Sequence, residues 1–189
     1  CIRLAEGVPL YLIQLLTNPS GKENALPSSL KLLVEQKLLH LDDKERQVVE
    51  LLSVCGVPLP VASVATLLGQ KGFSPESLVL AQLVKVNVDL GVTLCHQLVR
   101  QIVYTSLSDE ARHNYHGVLA AYIEKHLGSL HGINALTLAR HFECTGQGLK
   151  AAHYISLASK GLLHNGLYDK AQEILITAME LLESFSGRE

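Results

Sequence analysis

One histidine carries the first chemical suggestion in this chain. In Leu94-Cys95-His96-Gln97-Leu98-Val99-Arg100-Gln101-Ile102-Val103-Tyr104 the pattern predicts a β-hairpin that runs into a helix, with His96 at the junction. The N–H groups of a first helical turn have no intrahelical acceptor, and the helix dipole favours anions there. A histidine at that point can read a phosphate. The same position also suits a capping or half-buried histidine with no ligand. His113 and His116 fall at i and i+3 on one predicted helical face, and His141 with Cys144 forms a second such pair. Tetrahedral zinc needs further ligands in phase, and neither pair has a third, so no metal is expected. Cys1, Cys55, Cys95 and Cys144 form no C-x-x-C pair. They are expected as reduced thiols, three of them filling cores.

Other catalytic patterns are missing. Gly21-Lys22 is not a phosphate-cradling loop, because Leu16 stands where that loop needs its first glycine and Glu23 where it needs Ser or Thr. Paired catalytic carboxylates and a nucleophile elbow are missing too. The stretch itself is therefore expected to turn nothing over.

The elements that would position His96 follow from spacing. A helix begins near Pro9, which suits a first helical turn because it lacks the N–H donor. Residues 17–29 read as a loop. Ser28 or Ser29 can cap a helix that runs to about His40. Asp42 or Asp43 can cap the next, with Gly56 as its stop and Val48, Val49, Leu51, Leu52 and Cys55 as its apolar stripe. A short helix starts near Pro60. A further helix is predicted over 74–86, capped by Ser74 with Pro75 in its first turn. Residues 86–94 alternate around Asp89-Leu90-Gly91 and predict a hairpin. Ser108 can cap the long helix beyond the His96 helix, with Asp109 and Glu110 in its first turn and Lys125 and His126 in its last.

The region 133–185 has a different organisation. Gly146, Ala151, Ile155 and Ala158 recur at the same spacing as Gly166, Ala171, Leu175 and Ala178. Glycines turn the chain between helices, and alanines let helices approach closely. This resembles tetratricopeptide-type helical repeats; an ordinary helical hairpin is the other reading.

Composition sets the outer bounds. Apolar residues make up 48% of the 189, enough for packed cores, and with no Trp and few aromatics those cores must come from Leu, Val and Ala. Net charge is −2, which favours neither nucleic acid nor an anionic membrane. No apolar run reaches the length of a membrane span. The chain begins at Cys1, already in a helical pattern, and is expected to be part of a longer cytoplasmic protein.

The motif order resembles a known class. "CHQLVRQIVY" is similar to the H-x-L-x-R-x-x-x-Y stretch in the winged-helix segment of STAND signalling ATPases, which include the NB-ARC proteins and large bacterial regulators. In NB-ARC relatives the corresponding motif is Met-His-Asp, whose histidine touches the β-phosphate of ADP. Cys95, His96 and Gln97 occupy those positions here, so the histidine is kept and its neighbours differ. "EGVPLYL" resembles the G-x-P motif of the family's helical lid, and the resemblance implies that Pro9 packs against the adenine, with Gly7 in the same nucleotide-sensing motif. Residues 26–56 resemble the entry into the winged helix. "LSDEARHNYHGVLAAYIE" resembles the family's L-S-x-x-x-R-x-x-x-H-x-x-x-A segment.

These readings combine into one expectation. The fold is mainly all-α, a winged-helix-like domain with one small hairpin followed by antiparallel helical repeats. Residues 1–41 form a lid segment and linker, 42–107 the winged-helix-like domain, and 108–189 the repeats. The function implied by the resemblance is regulatory. The region closes over ADP or ATP with Mg, bound by an upstream P-loop domain of the same protein, and its repeats take a protein or small effector. The alternative is an interaction scaffold whose winged helix is only structural. Direct DNA reading is disfavoured, because the third helix carries only Lys85 as a cation and phosphate neutralisation needs several. No membrane partner is expected.

Overall fold

A computed structural model describes residues 28–126 and 135–186. These residues are mainly helical, with one antiparallel two-stranded sheet among them. The chain divides into two compact units, Cys1–Ser108 and Asp109–Glu189.

In the first unit, α1 (Ser28–Leu39) leads to α2 (Asp43–Cys55). Both ends of α2 are fixed by local chemistry. Asp42 accepts from the Glu45 N–H at 2.7 Å while the Glu45 carboxylate accepts from the Asp42 N–H, a reciprocal capping box. Gly56 ends the helix in the left-handed conformation, φ +70°. The second half of α2 is buried except at Glu50, from Val48 and Val49 through Leu51 to Cys55. It packs on α5 (Gln97–Ser106), whose inner face is Leu98, Val99, Ile102 and Val103. Each such apolar side chain contributes about 1.5–3 kcal/mol when fully buried.

Between these two helices lie α3 (Val61–Leu67), α4 (Glu76–Leu80), β1 (Val84–Asn87) and β2 (Gly91–Leu94). The strands pair Val84 with Leu94 and Asn87 with Gly91. Leu59 adds an isolated bridge to Val92, through N–H···O bonds of 2.9 and 2.7 Å. The Asn87 side chain accepts from the Asp89 and Leu90 N–H groups and closes the loop between the strands.

The helix expected over 74–86 is much shorter. It stops at Leu80, Gln82 takes φ +57°, and the Leu83 N–H returns to the Leu78 carbonyl at 3.1 Å. The residues after Gln82 belong to the hairpin. Val84 is buried on β1, and the Cys95 N–H donates to the Leu83 carbonyl. Strand pairing has overridden the helical periodicity. Lys85 therefore lies on the exposed part of β1, and α4 itself, Glu-Ser-Leu-Val-Leu, contains no cation.

The second unit is helical: α6 (Asp109–His126), α7 (Ala135–Cys144), α8 (Gly148–His164) and α9 (Tyr168–Ser186). Two turns repeat the same bonding. After α7, Gly146 has φ +69° and the Gln147 N–H donates to the Phe142 carbonyl at 2.9 Å. After α8, Gly166 has φ +73° and the Leu167 N–H donates to the Leu162 carbonyl at 2.9 Å. Both are Schellman turns, and each folds the next helix back on the last. Ala139, Ala152, Ile155 and Ala178 form a shared core, with Tyr154 and Ile174 against it. Ala151 and Ala171 are fully buried, as close helix approach requires. The repeat is imperfect, because Ala158 is only half-buried and Ser159 beside it is buried.

Candidate functional site

His96 is the N-cap of α5, with extended backbone (φ −140°, ψ 144°), and its side chain makes no capping bond to that helix. Its carbonyl accepts the first helical bond, from the Arg100 N–H at 3.1 Å. The ring is half-buried. Cys95, just before it, is held twice: its N–H donates to the Leu83 carbonyl at 2.9 Å and its Sγ to the Gln82 carbonyl at 2.8 Å. Leu98 and Val99, just after it, are buried. The histidine is thus held between a fixed strand end and an anchored helix.

Arg100, one turn further along, donates its Nε–H to the Ser53 carbonyl at 2.9 Å. Ser53 lies in the last turn of α2, where carbonyls lack intrahelical donors and the dipole favours a cation. The arginine of the H-x-L-V-R stretch therefore braces the α5 N-terminus against α2. Imidazole and first-turn N–H groups share one end of α5, an arrangement able to hold a phosphate oxygen.

Gly7 and Pro9, the expected nucleotide-sensing residues of the lid, lie outside the described residues, as does Cys1. Of the other cysteines only Cys55 fills a core: Cys95 is half-buried and Cys144 is exposed. The expectation of three core fillers is corrected accordingly, since the end of α7 turns Cys144 outward. Burial pushes the Cys55 thiol up to about 11, against smaller lowering effects from the Val57 backbone and Arg100. Burial also raises the Cys144 thiol, and the nearby Arg140 lowers it in part.

The histidine pairs expected from spacing separate. His113 is exposed while His116 is buried, and His141 is buried while Cys144 is exposed. His116 and His141 meet each other instead, their Nδ1 atoms 2.7 Å apart. Sequence spacing gives no signal for that contact, because it joins two helices. No group of three or more potential metal ligands occurs among the described residues. No helix among them is long and apolar enough to cross a membrane.

In the second unit Glu124 takes Lys150 at 3.0 Å and the Tyr154 hydroxyl at 3.1 Å. Lys150 holds the Glu124 carboxyl below its ordinary range. The Lys150 ammonium also lies 4.7 Å from the Phe142 ring centre, and Tyr154 stacks on that ring at 5.6 Å. This network joins α6, α7 and α8. An open groove on α8 and α9 is lined by Leu149, His153, Leu175, Met179 and Leu182 among others.

No protein-family model, curated protein or solved structure matches the chain.

Proposed function

We propose that this chain is the nucleotide-sensing and effector-coupling region of a cytoplasmic STAND-type signalling ATPase. In this reading residues 42–107 of the first unit are a winged helix, and 1–41 are the lid segment and linker. Its support is the order α2, Leu59 bridge, α3, α4, β1, β2, in which Leu59 acts as the short first strand of the wing. The second unit is the start of a tetratricopeptide-like array, supported by the paired Schellman turns at Gly146 and Gly166. A P-loop domain of the same protein would supply the catalytic loop and hold ADP or ATP with Mg. The repeats would take the effector.

The observation that carries the reading is His96 at the N-terminus of α5, between the end of β2 and a helix that Arg100 braces against α2. A histidine donating to a β-phosphate makes a charge-assisted bond worth roughly 1.5–3 kcal/mol. In the protein with its P-loop domain, His96→Ala should loosen ADP by about one to two orders of magnitude and raise basal activity. Pro9→Ala should weaken ADP and ATP alike. Equal ADP affinity in wild type and His96→Ala, with unchanged thermal melting, would leave His96 structural and favour the scaffold.

A further inference from the structure

Two histidines outside the nucleotide reading meet inside the second unit. His116 on α6 and His141 on α7 are each only 2% exposed. Their Nδ1 atoms are 2.7 Å apart, the ring centres 4.9 Å apart and the planes tilted by 52°. Such a gap has room for one hydrogen. One ring donates its Nδ1–H and the other accepts through a lone pair. A second proton on the accepting Nδ1 would set two N–H groups and two positive charges head to head.

We propose that His116 and His141 form a one-proton latch between α6 and α7, closed while the pair shares a single hydrogen and opened when both rings become imidazolium. Among the described residues, the buried side chains that flank the pair on its own helices are apolar. On α6 the buried neighbours are Leu119, Ala120 and Ile123, and on α7 they are Leu138, Ala139 and Phe142. The buried residues of α8, which packs on α7, are Gly148, Ala151, Ala152, Ile155 and Ser159, none ionisable. Several charged and titratable groups of these helices are engaged elsewhere or lie outward. On α6, Arg112 pairs with Asp109 at 3.2 Å, Glu124 takes Lys150 and Tyr154 of α8, and His113 is exposed. On α7, Arg140, Glu143 and Cys144 are exposed, and Arg140 and Glu143 act on the Cys144 thiol. His153 on α8 is exposed.

The direction of the pH effect comes from proton counting. Well above the ordinary histidine range, folded and unfolded chains carry the same protons on these two rings. Below about pH 6.5 the unfolded chain protonates both, while the closed pair holds one fewer. The folded-to-unfolded ratio then falls by up to about tenfold per pH unit. Acid opens the latch, and neutral pH closes it.

The experiment uses the whole chain. Imidazole nitrogen NMR near pH 7.5 should show one protonated and one accepting Nδ1. The pair should not reach double protonation until the α6 and α7 amides lose protection. Two rings that become imidazolium at the ordinary histidine midpoint with α6 and α7 intact would overturn the latch. Denaturation followed at those amides, from pH 7.5 to 5, should be steeply acid-dependent in wild type and in His113→Gln. It should flatten in His116→Gln and in His141→Gln. Equal acid dependence in all four would also overturn it. If a pair variant does not fold, the wild-type NMR still decides.

Discussion

Arg100 on α5 donates its Nε–H to the Ser53 carbonyl in the last turn of α2, across 2.9 Å. A single side chain thereby ties the helix that starts at His96 to the helix that starts after Asp42. Gly56 lies directly under the guanidinium, where an added Cβ would collide with it. The φ of +70° at Gly56 also disfavours any side chain. Arg100→Ala should destabilise the first unit by roughly 1.5–3 kcal/mol, the range for a hydrogen bond from a charged group. Arg100→Lys should recover only part of this, since an ammonium cannot reproduce the fixed guanidinium fork. Denaturant titration of the three proteins measures both effects, and equal midpoints would show that the brace adds nothing.

Gly91 is required by a close approach. Its φ is +99°, and a Cβ there would run into the carbonyl of Leu59 and the nitrogen of Pro60. Gly91→Ala should therefore break the Leu59–Val92 bridge and cost about 2 kcal/mol or more. Gly72 makes the control. Its φ is +78° with open space around it, so Gly72→Ala carries only the backbone term of about 1–2 kcal/mol. Thermal melts of the two variants should separate, with Gly91→Ala the lower.

Cys55 links stability to alkaline pH. Its thiol titrates at about 11 in the folded chain against an ordinary value of 9.0, because burial disfavours the thiolate. The raised value means that the contribution is complete below pH 9.0. It is then lost as pH rises toward about 11, where the unfolded chain ionises and the folded chain does not. The loss is on the order of 2–3 kcal/mol across that window. Cys55→Ala should remove this alkaline slope, at the cost of a small cavity. Comparing urea midpoints of wild type and variant between pH 8 and 11 tests it.

Local chemistry was legible in the sequence, and long-range chemistry was not. Asp42 and Gly56 announce the ends of α2 because a cap and a left-handed stop act within a few residues. The His96 junction is legible for the same reason: a strand ends and a helix begins around it. The stretch 74–86 misleads, because its helical period survives in the sequence while Leu83 and Val84 are taken by the hairpin. The His116–His141 contact spans two helices, so the apparent partners His113 and Cys144 were only neighbours along the chain. Arg100 falls in between. Its motif marks it, but its acceptor, Ser53, is visible only when α2 and α5 are packed.

The paired turns at Gly146 and Gly166 bear on how this chain could change over generations. Each glycine is followed five positions later by a fully buried alanine, Ala151 or Ala171, and each turn closes with the same hydrogen bond. A duplication or loss of one such period would recreate an intact turn at the new junction, yet leave every later helix running the opposite way. Gain or loss of two periods would restore the original direction. Descent with insertions and deletions in this unit should therefore favour even steps, with odd steps purged by the reversed packing they impose.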